Sequence, residues 1–324
     1  MIRLPLFVLA SAVGVLALSG PALADEAEEA AVKFVTGLKG FMERDSDKPG
    51  KPVISLDLNN KEVADADLAK LAAFKSLQQL DLSYTKTSDA GAKHLPALKS
   101  LTTLSLSNTK ITDAGLAHLS GLQSLNQLRL ADTQVSDAGL AHLSNLQSLT
   151  SLNLDDTQVT DGGLSHLAGL KSLTSLYLNG NKVAGKGFKH LANTKSLRAL
   201  SLRRTSGTDA VAKELAALTQ LSELHLIESA VTDAGVKELV VLKDMTQLFL
   251  GKTAVTDASA KHISGLAKLR GLDLADTQIT DAGLKELAAL KELTSLSLDR
   301  TKVTPAGVAE LQKVLPKCKI YTTK

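Results

Sequence analysis

Histidine recurs at a fixed interval in this chain. His94, His118, His142, His166 and His190 are each separated by 24 residues, and His262 falls on the same grid. A strip of imidazoles invites a metal-binding reading. If each His sits on its own short helix, neighbouring helices lie about 8–10 Å apart, whereas zinc takes its ligands at about 2.0–2.1 Å. No His lies four before or four after any of these, where Ala, Gly or Leu stands in most repeats and Lys186 and Thr194 flank His190, so no H-x-x-x-H pair exists. Lys70, Glu214, Glu238, Glu286 and Glu310 take the same place elsewhere, as on a solvated helix flank. The expectation is therefore no metal site.

An aspartate ladder runs beside the histidines: Asp65, Asp89, Asp113, Asp137, Asp161, Asp209, Asp233, Asp257 and Asp281. The Gly-rich nonapeptide of calcium-binding β-helical repeats is missing, and one Asp per repeat suits a helix start, where a carboxylate meets unpaired amides. Cys318 is the only thiol and lies near the end, which leaves no disulfide framework within the chain and reads as a small closing residue. No Gly-rich phosphate loop with its Lys follows a strand. Ser and His are abundant because the repeat contains them, so no triad stands out. The expectation is a protein that is not an enzyme, with no catalytic residue and no cofactor.

Composition narrows the partners. The 324 residues are 44% hydrophobic but only 3% aromatic, with no Trp, so the interior must be aliphatic. Lys+Arg 37 against Asp+Glu 34 gives +3, too even to announce nucleic acid. Residues 1–24 read as a signal peptide: Arg3, an apolar run from Leu4 to Leu18, and Ala22-Leu23-Ala24 before an acidic stretch. Cleavage after Ala24 leaves a mature chain without a membrane span, secreted or periplasmic.

The elements that carry these residues follow from the period. From Val53 to Pro316 the chain repeats every 24 residues without a gap, giving eleven repeats. Repeat 1 is 53–76 and each later repeat begins 24 residues on. Positions 4 and 6 are apolar at strand spacing, and positions 16, 19 and 22 at the spacing of a helical stripe. Thr-Asp at positions 12 and 13 lies between, as in Thr112-Asp113 and Thr280-Asp281. Each repeat is thus a strand, a turn and a short helix, and no repeat can bury its Leu side alone. Residues 25–52 read as an N-terminal cap and hinge, with Phe34, Leu38, Phe41 and Met42 at helix-like spacing, and residues 317–324 as a C-terminal tail.

The pattern L-x-x-L-x-L-x-x-T-x-[VI]-T-D-A-G-L-x-x-L-x-x-L resembles the leucine-rich repeat family. It is most similar to its cysteine-containing, T-D-x-G-L class, with Thr where that class carries Cys, in a secreted bacterial form. The resemblance implies an α/β solenoid of 11 repeats, curved, with a parallel β-sheet on the concave face and short helices on the convex face. It implies a buried ladder for the position-9 residues, Thr85, Thr109, Thr133, Thr157 and their successors, with Asn181 and Ser229 able to substitute. It also implies a surface for binding protein.

Positions 3 and 5 then point off the inner sheet, and positions 7 and 8 line its edge. Most are small or polar. Repeats 6 to 9 differ, offering Tyr177, Arg203, Arg204, Glu223, His225, Glu228, Gln247 and Phe249. Aromatic and Arg side chains dominate binding hot spots, so Tyr177, Arg203, Arg204, His225 and Phe249 are the candidate protein-binding residues. The same region departs from consensus at Gly185, Gly207 and Ala212, and Gly207 offers room for the ring of Phe188, so packing is a competing explanation. The reading is a monomeric extracytoplasmic binding scaffold for a protein or peptide. The alternative is a structural envelope spacer without a single ligand. Carbohydrate binding is disfavoured by the lack of Trp, and a ubiquitin-ligase-type effector by the shortness of residues 25–52.

Overall fold

The computed structural model describes residues 21–206 and 208–323. Thirteen strands lie in one sheet in strict chain order. The first, Phe41–Arg44, is antiparallel to Val53–Asp57. All later neighbours are parallel, from Val53–Asp57 to Lys319–Tyr321. Register advances by one repeat per strand: Leu104 faces Leu128, Leu128 faces Leu152 and Leu152 faces Leu176. These position-4 leucines are fully buried, as are their position-6 partners Leu106, Leu130, Leu154 and Leu178. Each Leu buried this way is worth about 1.5–3 kcal/mol, and its neighbours belong to adjacent repeats. The solenoid inferred from the period is therefore the structure of the protein.

The chain must turn sharply after each three-residue strand. Position 8 makes the turn in the left-handed region: Asn108 (φ 55°), Asp132 (53°), Asp156 (51°), Arg204 (54°) and Glu228 (57°) among others. The turn does not interrupt the sheet ladder. Asn108 N–H donates to the Ala131 carbonyl at 2.7 Å and Asp132 N–H to the Asp155 carbonyl at 2.9 Å. Position 9 then anchors the turn. Thr85, Thr133 and Thr205 are buried, and each hydroxyl donates to the carbonyl three residues back, at 2.7, 2.6 and 2.8 Å. Ser229 does the same to Leu226 at 2.7 Å. Asn181 instead reaches into the preceding repeat, donating to the Leu154 carbonyl at 2.6 Å. The expected ladder is present.

The Thr-Asp pair divides its work differently from the expectation. The hydroxyl at position 12 caps its own helix: Thr112 accepts from Ala114 N–H at 3.3 Å and Thr232 from Ala234 N–H at 3.2 Å. The Asp serves the next repeat. Asp113 accepts the Ser136 amide at 2.7 Å and the Ser136 hydroxyl at 2.6 Å, and Asp257 does likewise for Thr280 at 2.8 and 2.7 Å. Position 15 explains the Gly of the motif. A Cβ on Gly115, Gly139 or Gly283 would collide with the Asp carboxylate of the repeat before. T-D-x-G is thus a latch, with the acid in one repeat and the hydroxyl and glycine in the next.

The latch breaks on both sides of repeat 6, where Asp161 meets only the Gly185 amide among the described residues and the next boundary has no acid. Repeat 6 has Ala184-Gly185 instead of Thr-Asp, and repeat 7 has Val211 in place of the position-15 Gly. The two changes fit each other: a Cβ on Gly185 (φ 120°) would lie 3.1 Å from Val211 Cα. The helix of repeat 6 is a 3-10 helix, Phe188–Asn193. Phe188 and Ala212 hold the same position in successive repeats and are both fully buried, so a large ring and a small methyl share the space. Gly207, the expected source of room for Phe188, lies outside the described residues. At this seam Thr194 Oγ1 and Gln220 Oε1 are buried without hydrogen-bond partners among the described residues.

At the N-terminal end the segment 25–48 is not all helix. Helix Pro21–Gly37 places Ala31 and Val35 in the core, and Lys70 Nζ sits 4.2 Å above the Phe34 ring. Phe41–Arg44 is a strand, and Phe41 is 66% exposed. Its helix-like spacing to Phe34 and Leu38 is coincidental, because pairing with Val53–Asp57 decides its conformation. The leader inferred over 1–24 lies outside the described residues except for Pro21–Ala24, which belong to the helix. At the other end Lys319–Tyr321 adds a strand beyond the last full repeat. Pro305 replaces the latch Asp in repeat 11, so the latch series stops there.

Candidate binding surface

The sheet sets the geometry of the inner face. In-register pairing places every position-5 side chain in one row, so Asn153, Tyr177, Ser201, His225, Phe249 and Asp273 follow one another strand by strand. Position 3 makes a second row, from Ser151 through Ala199 to Glu223 and Gln247. The expected orientation holds, since all of these residues but the buried Ser201 are half-buried while the Leu between them is fully buried.

Of the five candidates, two meet. The His225 and Phe249 rings stack, with centroids 4.1 Å apart and planes 15° from parallel. That separation is close to the strand spacing of about 4.8 Å, and both residues are half-buried. His225 Nε2 lies 2.7 Å from Glu223 Oε1, two residues back on the same face. Tyr177 is half-buried in the same row, parted from His225 by the buried Ser201. Arg203 is exposed and its guanidinium has no hydrogen-bond or ion-pair partner among the described residues. Its amide donates to Asn179 Oδ1 at 2.8 Å. Arg204 is committed elsewhere: Nη2 lies 3.0 Å from Asp156 Oδ2, two repeats away. It reaches across Gly180, where a side chain would meet the Asp156 carboxylate.

Below this surface sits a staircase of polar contacts. Asn153 Oδ1 accepts the Asp155 amide, Asp155 Oδ1 accepts the Asn179 amide, and Asn179 Oδ1 accepts the Ser201 hydroxyl at 2.6 Å. Burial raises the Asp155 carboxyl above its ordinary value, outweighing the hydrogen bonds from Asn179. The edge row carries paired charges, Glu228 with Lys252 at 2.6 Å and Asp276 with Arg300. Each cation holds its carboxylate partner below the usual value.

The other chemistry-bearing residues fall apart spatially. His118, His142, His166 and His190 are exposed on the helical side, and His94 and His262 half-buried there. No group of three or more His, Cys, Asp or Glu among the described residues is placed to hold a metal ion. Cys318 is 3% exposed, and burial pushes its thiol up, so thiolate chemistry is disfavoured. No described helix is long and apolar enough to cross a membrane.

Three exposed aromatics were not among the candidate binding residues, Tyr321 at the C-terminal end of the inner row being one. Phe41 stands at the N-terminal rim of the inner face, registered with Asp57. Tyr84, 59% exposed, occupies a left-handed edge position (φ 57°). Tyr84 was legible as a position-8 residue. Phe41 was not, because its pairing partner is distant in sequence.

A family model described as a leucine-rich repeat region matches residues 53–322. Among solved structures the chain is similar to an internalin (inlF) from Listeria monocytogenes, at 22% identity and TM-score 0.64, covering 91% of this chain and 90% of that one. It is also similar to a TDR receptor at 21% identity and TM-score 0.57, covering 84% of this chain and 47% of that one. A search of curated proteins finds no match.

Proposed function

Because the chain belongs to the leucine-rich repeat proteins, we propose that it is an extracytoplasmic scaffold that recognises a protein or peptide on its concave face. Leucine-rich repeat folds are commonly used for protein–protein recognition and are generally non-catalytic. The observation that carries the reading is the stacked His225–Phe249 pair, with Tyr177 in the same row and an unpaired Arg203 beside it. Elsewhere the row is mostly Ser, Asn and Asp. Aromatic rings and a free guanidinium supply contact area and donors at once. The staircase beneath them fixes the backbone from which they project.

The leader over 1–24 supports export to the periplasm or medium. Sequencing the N-terminus of protein recovered from outside the cytoplasm should return Asp25. The binding reading is tested by capturing partners from envelope extract with the mature chain and titrating the captured protein against variants. Tyr177→Ala and Phe249→Ala are each expected to weaken the complex by about 1–3 kcal/mol, with Ser151→Ala near zero. Equal and negligible effects would favour the alternative, a structural spacer, for which the uniform small residues of repeats 10 and 11 speak.

A further inference from the structure

A second interaction surface lies at the opposite end of the inner face, and it differs in chemistry from the patch on repeats 6 to 9. Sheet register sets Phe41, Asp57, Asp81, Ser105 and Arg129 in one row across five strands. They line a cavity of about 280 Å³ on the concave side. That volume is just below the roughly 300–1,000 Å³ of pockets for drug-sized ligands, and suits one long side chain.

The row is electrostatically unfinished. Asp57 and Asp81 are direct cross-strand neighbours, an arrangement that like charges make unfavourable. Each uses Oδ1 to accept the amide two residues on, Asn59 and Ser83, both at 2.8 Å. Neither has a cation partner among the described residues, although edge carboxylates such as Asp156 and Asp276 do. Arg129, two strands from Asp81, is exposed and likewise unpaired among the described residues. Phe41 closes the row with a phenyl ring 66% exposed. An apolar ring, two carboxylates and a guanidinium in sequence are complementary to an apolar stem ending in a cation, followed by an anion.

We propose that this row docks an extended segment of a partner protein bearing a Lys or Arg and, three or four residues away, an Asp or Glu. The stem of the basic side chain lies on Phe41 and its charge sits between Asp57 and Asp81. The acidic side chain pairs with Arg129. The spacing follows from the sheet: at about 4.8 Å per strand, Arg129 is about 10 Å from Asp81 and about 14 Å from Asp57, which an extended chain at about 3.3 Å per residue spans in three or four residues.

The test uses four fluorescein-labelled dodecapeptides in a Gly-Ser background, with a pair of residues four apart: Lys and Glu, Lys and Lys, Glu and Glu, or Ser and Ser. Fluorescence polarisation at low salt should rank Lys–Glu tightest, by about tenfold over Ser–Ser, with the advantage falling as salt is added. The double variant Asp57→Asn/Asp81→Asn should abolish the advantage while keeping the Oδ1 acceptors and the melting temperature. Arg129→Gln should weaken Lys–Glu but leave Lys–Lys unchanged or tighter, and Phe41→Ala should weaken both. Tyr177→Ala should change nothing, which separates this surface from the one on repeats 6 to 9. Equal affinity for all four peptides, absence of binding, or indifference to the Asp pair overturns the proposal. So does displacement of the Lys–Glu peptide by millimolar calcium with no sensitivity to Arg129→Gln, which would mark a simple cation site.

Discussion

The hydroxyl of Thr133 has one partner among the described residues, the Leu130 carbonyl at 2.6 Å, and the residue is buried. Replacing it by Val keeps the shape and leaves that carbonyl short of a donor. Thr133→Val should lower stability by about 1–3 kcal/mol in chemical denaturation, since an unmade buried hydrogen bond costs more than a made one gains. Asp155 is the opposite case. Its carboxyl is raised by burial, so the folded state binds the proton more tightly than the unfolded chain. Stability from this group therefore rises as pH falls through the folded value and levels off below the unfolded one, about 3.9. Asp155→Asn keeps the acceptor for the Asn179 amide without the buried charge. It should raise the melting temperature at pH 7 by about 1–3 °C, and the gain should vanish in acid. Asp233 and Asp281 run the other way. At Asp233 burial opposes ionisation, but hydrogen bonds from Ser259 and Thr256 outweigh it and lower its value. At Asp281 the Thr304 amide and hydroxyl lower the value. Their contribution is complete above about pH 4 and is lost below it.

Between elements, the latch shows how a motif is shared across a repeat boundary. Gly139 is needed because Asp113 occupies the space a Cβ would take. The seam between repeats 6 and 7 is a natural experiment on this device, with acid and glycine lost together as Gly185 and Val211. Restoring both by Gly185→Asp with Val211→Gly should give Thr208 its carboxylate, but the φ of 120° at residue 185 and the lost burial of Val211 remain. The pair should therefore be less destabilising than the sum of the two single variants by about 1 kcal/mol. Gly185→Asp alone should destabilise, because Val211 stands in the way and φ is 120°. A double-mutant cycle with a coupling energy near zero would dismiss the shared latch. The packing explanation of this irregularity and the binding explanation of Tyr177 and Arg203 are compatible. The swap lies on the helical side, and the candidate residues lie on the sheet.

At the scale of the molecule, contacts run between consecutive repeats, so stability is approximately a sum of repeat and interface terms. The weakest interface then limits cooperativity. Repeats 6 and 7 lack a latch and leave Thr194 Oγ1 and Gln220 Oε1 unpaired among the described residues, while the Arg204–Asp156 pair bridges repeats 5 and 7 at the sheet edge. Native-state hydrogen exchange should be faster in the helices of repeats 6 and 7 than in those of repeats 9 and 10, where Asp233 and Asp257 accept the Thr256 and Thr280 hydroxyls. Uniform protection along the stack would show that the seam is as strong as its neighbours.

What the amino-acid sequence determined alone was everything that recurs. Leu at positions 4 and 6, Thr at position 9 and the helical stripe at 16, 19 and 22 repeat in register, so local pattern and long-range packing coincide, and the position-5 row could be placed residue by residue. Tertiary structure decided what depends on a neighbour 16 or more residues away. The Asp of one repeat holds the hydroxyl of the next, Arg204 turns away from the candidate patch to Asp156, and Phe41 joins the sheet instead of a helix. A periodic sequence announces which side chains are equivalent. Which groups touch is set by the spacing and direction of the stack, and those exist only when the repeats are assembled.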